Sequence, residues 1–212
     1  MKNKNLLLGF LFIGAISMLA MSLHFFGGED SGILRNKVVK DTTWYRLSFF
    51  THITFGLVAI LAGPFQFIGK LIQKRPRLHK GIGYLYSLAV VAASTTGLVI
   101  AQFAIGGTVT MIGFSILSIL WFGSLVIALR KIYLRDVAAH MRWMKINFAL
   151  TFSAITQRTI LLFAFIPYFS FMPIYQLSSW LSWTFNLTLV LVVLGKKKES
   201  KEAVLHTFQA KQ

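Results

Sequence analysis

Residues 47–72 read LSFFTHITFGLVAILAGPFQFIGKLI. The stretch is apolar on every side, without the alternation of a half-buried strand, and its only formal charge is Lys70. A bilayer core of about 30 Å needs roughly 20 apolar residues in a helix rising 1.5 Å per residue. This stretch meets that length, so it predicts a membrane-spanning helix. Five more stretches meet it too: Asn5–Phe26, Ile82–Ala104, Thr108–Leu129, Trp143–Tyr168 and Ile174–Leu194. Gly106-Gly107 predicts a tight link between spans three and four, and Pro167 and Pro173 bracket the link between five and six. Continuous apolar runs exclude a β-barrel. The predicted fold is all-α, an integral membrane protein with one six-helix domain over residues 1–195 and a basic tail over 196–212. The first segment also has the Lys2/Lys4 start of a signal peptide, but its apolar run exceeds the usual signal core, which favours a retained helix.

Composition agrees with this reading. Of 212 residues, 56% are hydrophobic and 13% charged, and the formal net charge is +16. In a soluble protein such a balance would suggest a nucleic-acid partner, but that needs a polar, charge-rich surface which this composition does not supply. No nucleic-acid partner is expected. The absence of cysteine excludes disulfides and thiolate metal sites.

The basic residues give an orientation. Lys2 and Lys4, the 70–80 cluster (Lys70, Lys74, Arg75, Arg77, Lys80), the 130–145 cluster (Arg130, Lys131, Arg135, Arg142, Lys145) and the tail lysines fall on one side. Only Arg35, Lys37, Lys40 and Arg46 fall on the other, offset by Glu29, Asp30 and Asp41. The positive-inside rule then predicts that both termini lie in the cytoplasm. Lys196–Lys198 reads as a stop-transfer anchor against anionic lipid. Of the 22 cations one is left over, Arg158, inside the fifth span.

Helical spacing collects polar and small residues on common faces. Span two gives His52, Gly56, Ala59, Gly63, Gln66 and Lys70; span three gives His79, Gly83, Ser87, Ser94, Gly97 and Ala101. Span five gives His140, Asn147, Thr151, Ala154 and Arg158, and span six Tyr175, Ser179, Ser182 and Asn186. Spans one and four carry weaker stripes. The expectation is a polar-lined four-helix bundle of spans two, three, five and six, with one and four outside. Much of this is ordinary helix packing: Gly56 and Gly63 read as contact residues, and Pro64 as a kink that frees the Ile60 carbonyl. His24 reads as interfacial, and His206 as a tail residue.

Arg158 resists that explanation. It lies about 22 Å into its span, where an arginine costs roughly 2.5–3.5 kcal/mol, and all six acids lie in loops or tails. Its counter-charge must be a dipping loop acid, a lipid phosphate, a substrate anion or a cofactor carboxylate; otherwise it snorkels outward. His52 lies at a similar depth. His79 and His140 lie at one level near the cytoplasmic end, where they could clamp a metal or a haem edge; the gap to His52 prevents all three from meeting at one ion.

The motifs around these residues resemble a known family. They are Thr51-His52-Ile53, Gly63-Pro64-Phe65-Gln66-Phe67, Arg77-Leu78-His79-Lys80-Gly81-Ile82-Gly83-Tyr84-Leu85-Tyr86, His140-Met141-Arg142-Trp143-Met144, and Ala149-Leu150-Thr151-Phe152 followed by Arg158. Together, from about Phe50 to Asn186, they resemble the bacterial membrane-protein family catalogued as domain of unknown function 2306, with Lys80 where the family usually has Arg. The resemblance implies a multi-pass protein of the bacterial cytoplasmic membrane and highlights His52, Arg77, His79, His140, Arg142 and Arg158. It implies no activity.

Three functions follow as expectations. The first is a haem b or quinone-linked redox protein, with His52, His79, His140 and Arg158 at the cofactor and His79 and His140 as metal ligands. The second is a small-anion or lipid binding or transport protein built on Arg158 and His52; six spans make a small transporter, so a homodimer suits it. The third, a metal hydrolase, needs a carboxylate, and no span contains one. Gln66, Arg77, Arg142, Asn147 and Asn186 complete the candidate polar core. Whether the chain is an enzyme stays open.

Overall fold

In the computed structural model, residues 2–23, 39 and 42–209 are described. His24, Glu29, Asp30, Arg35, Lys37, Lys40 and Asp41 lie outside them, as do the side chains beyond Lys196, His206 included. The chain folds into α1 (Lys2–Leu23), α2 (Thr43–Ala62), the short α3 (Gly69–Lys74), α4 (Pro76–Ala101), α5 (Gly107–Tyr133), α6 (Val137–Leu161) and α7 (Phe171–Gln209). Six of these, all but α3, supply membrane-spanning lengths. The protein is a helical, multi-pass membrane protein, and α7 carries on through the basic segment as one helix.

Three boundaries differ from the sequence expectation for identifiable reasons. Span two does not kink at Pro64; it ends. Proline lacks the N–H of a helical bond and its ring crowds the carbonyl four residues back. The chain therefore passes into a 3-10 turn, Gly63–Phe67, then an extended Ile68, before α3 restarts. Gln66 and Lys70 thus leave the helix face on which they were expected. Spans three and five begin earlier than hydropathy suggests. Pro76 sits in the first turn of α4, where a missing N–H goes unused. Asp136 caps α6 by accepting the Ala139 N–H at 3.0 Å. The Gly106-Gly107 link is as expected, with φ of 94° and 69°.

The larger correction concerns which helices form the core. α2 packs along α4, α4 along α5 and α5 along α6, while α6 meets α2 again. Span four (α5), expected outside, is therefore a core helix as well; span six (α7), expected inside, packs along α6 and against α5, and α1 lies against α2 and α6. On α5, Thr110, Gly113, Ser118, Trp121, Ser124, Leu125 and Ala128 are buried. A methyl group at Gly113 would stand 2.9 Å from the Ser179 carbonyl oxygen, so only glycine lets α5 and α7 approach this closely. The central cluster is built of Ala59, Ala62, Tyr86, Ala89, Val90, Ala93, Trp121 and Leu125, with Phe148 and Leu150 from α6 and Trp183 from α7.

Candidate functional site

The helices line a partly open cavity of about 210 Å³ in the half of the bundle away from the basic end. That is room for roughly seven waters at about 30 Å³ each. α2 contributes Tyr45, Phe49, His52 and Gly56; α4 contributes Gly97 and Ala101; α5 contributes Phe114, Ser118 and Trp121. α6 adds Thr151, Gln157 and Arg158, and α7 adds Tyr175. The walls are mostly apolar and aromatic. The formal charge among them is Arg158.

His52 is held from the wall behind it. Its Nδ1 lies 2.7 Å from the Ala93 carbonyl oxygen, which can only accept, so Nδ1 carries the proton. The ring fits because residue 97 is glycine: a methyl group there would come within 2.9 Å of Nδ1 and 3.2 Å of the Ser118 Oγ. In the neutral ring Nε2 is then an acceptor, and it takes no hydrogen bond from any described residue.

Arg158 folds back along its own helix, donating from Nη1 to the Ala154 carbonyl at 3.0 Å. Side chains on a helix lean toward its N-terminus, which here is toward the middle of the bundle. The outward snorkel is therefore not the conformation adopted. The guanidinium has five N–H donors, and this bond uses one. Among the described side chains the single carboxylate is Asp136, at the basic end beside Lys131, and Glu199 and Glu202 lie beyond Lys196 in the tail. His52 lies within electrostatic reach of Arg158.

Below the cavity, polar groups satisfy one another. Tyr86 donates to the Asn147 Oδ1 at 2.6 Å and lies 2.8 Å from the Thr151 Oγ1. Trp121 Nε1 donates to Thr151 at 2.9 Å, and Asn147 Nδ2 to the Trp121 carbonyl at 2.7 Å and the Ser124 Oγ at 2.8 Å. A buried network this complete fixes α4, α5 and α6 together and makes a rigid floor.

A family model described as "Predicted membrane protein (DUF2306)" matches residues 49–194. The chain belongs to this family. The match runs from α2 to the end of the α7 span, so every residue of the cavity named above except Tyr45 lies within it. No curated protein and no solved structure matches the chain at a significant level.

The remaining sequence candidates of this family member sit elsewhere. His79 and His140, in the first turns of α4 and α6, are close enough for their charges to interact. Their offsets to the bonded pair Tyr86 and Asn147 are equal, seven residues each, which places them on the same facing sides two turns away. His140 Nδ1 lies 2.9 Å from the Ala128 carbonyl oxygen, while His79 Nδ1 is buried and meets no hydrogen-bond partner among the described residues. Among the described residues no group of three or more His, Cys, Asp or Glu gathers as a metal site. Exposed Arg77 and Arg142 and two helix N-termini make this end electropositive, which opposes a cation. Gln66 lies in the 3-10 turn with Nε2 3.5 Å from the His79 carbonyl oxygen, a marginal contact. Asn147 belongs to the floor. Asn186 ties α7 to α6 through the Ala149 carbonyl and Thr156.

Gly56 was read as a packing residue, yet nothing stands within 4 Å of a methyl group placed there. It opens onto the cavity. Trp121, Ser118 and Tyr86 were missed because large aromatic residues interrupt a small-and-polar stripe, although Tyr86 follows His79 at helical spacing.

Proposed function

We propose that the protein binds a small amphipathic anion inside the membrane, in the cavity between α2, α4, α5 and α6, with Arg158 as its counter-charge. One observation carries this reading: a guanidinium faces an apolar cavity with four N–H groups free of its helix bond and no carboxylate of the described residues beside it. A charge so placed is costly unless paired. The cavity sets the size, because 210 Å³ falls below the roughly 300–1,000 Å³ of pockets for drug-sized ligands. A carboxylate or phosphate on a short alkyl chain fits these limits. The basic end faces the cytoplasm and the cavity lies in the outer half, so the site reaches its ligand from the outer leaflet or the outer aqueous phase.

Thermal unfolding of the purified protein in nanodiscs tests the proposal. Hexanoate raises the midpoint of the wild type, hexanol does not, and Arg158→Met abolishes the hexanoate effect. Equal stabilisation of both proteins by hexanoate would sink it.

A haem reading draws on one feature. His52 and His140 each fix Nδ1 on a backbone carbonyl, as ligating imidazoles do. The cavity volume favours a smaller guest than a macrocycle. A Soret band in protein expressed with haem would reverse that preference.

A further inference from the structure

The acceptor at His52 narrows the class of anion. We infer that the ligand is an anion that carries its own O–H donor, its negative oxygens on Arg158 and its hydroxyl on His52 Nε2; this rests on the anion-binding reading above. The ring cannot turn that nitrogen away. Nδ1 is committed to the Ala93 carbonyl at 2.7 Å, and the same edge of the ring lies in the space that a side chain at Gly97 would fill. The cavity wall thus offers a bundle of donors from Arg158 and, beside hydroxyls and the Gln157 amide that can donate or accept, a His52 nitrogen that can only accept. A simple carboxylate satisfies the donors and leaves Nε2 facing an apolar guest. Leaving a buried polar atom unpaired is what allows a site to reject the analogue that lacks a hydroxyl.

Two chemistries supply such a group: the hydroxyl of a hydroxy acid, or the P–OH of a singly protonated phosphate monoester. Titration calorimetry in nanodiscs at pH 6, where a phosphate monoester is about half singly protonated, compares two pairs of ligands with the same chain. The pairs are 2-hydroxyhexanoate with hexanoate, and hexyl phosphate with hexanesulfonate. At least one hydroxyl-bearing member binds about tenfold more tightly than its partner, and the preference falls to near unity in His52→Phe. A preference confined to the first pair identifies a hydroxy acid, and one confined to the second a phosphate monoester. Equal affinities within both pairs in the wild type overturn this inference while leaving anion binding intact. That comparison needs no variant, so it holds even if His52→Phe does not fold. If no anion binds in an Arg158-dependent way, the anion-binding reading itself fails.

Discussion

At the scale of single residues, two glycines on neighbouring helices do opposite things. Gly97 must be glycine because the His52 ring occupies the space of its missing side chain. Gly56 faces open cavity. Replacing Gly56 by leucine should fill the site without disturbing the core, and an exchange of glycine for a better helix former adds up to about 1 kcal/mol of helix stability. Gly56→Leu is therefore expected to unfold at the wild-type temperature or above while losing the stabilisation by hexanoate. Retained stabilisation in that variant would mean that the anion binds somewhere else. Sequence spacing was enough to bring His52 and Arg158 to one level, because the helical period is a property of the backbone. It could not distinguish Gly56 from Gly97. That difference depends on what the neighbouring helix presents, and helix-face arithmetic is blind to it.

At the scale of elements, helix ends were less legible than helix middles. Hydropathy locates the apolar run but not the cap, so α6 begins before its apolar stretch, at a residue chosen by Asp136. That cap holds the turn bearing His140. Asp136→Ala should cost about 1 kcal/mol of stability, read as a lowered midpoint in chemical unfolding. No change would mean that packing against α5 alone fixes the turn. The core role of α5 was hidden for a related reason. Ser178, Ser179, Ser182 and Asn186 make α7 polar on one face, but those groups serve its contact with α6 and α5. The buried face of α5 has Trp121 and Leu125 among its small residues, which reads as lipid-facing until the partner helices are known.

At the scale of the whole molecule, the excess of base over acid has two parts. Most cations flank the spans and mark one end of the bundle, a pattern visible in the sequence because membrane topology is read from loop charges. The scarcity of acids is the part that reaches the site, since it leaves Arg158 facing a cavity that neutral side chains otherwise line. Six helices and their order were legible from hydropathy alone. The cavity was not, because a void forms between elements and belongs to no single one. The account therefore depends on whether that void takes an anion on Arg158. Direct calorimetric titration of hexanoate into the protein in nanodiscs, wild type against Arg158→Met, decides it. The account predicts saturable binding near one equivalent in the wild type and none in the variant. Matching isotherms from the two proteins would contradict it.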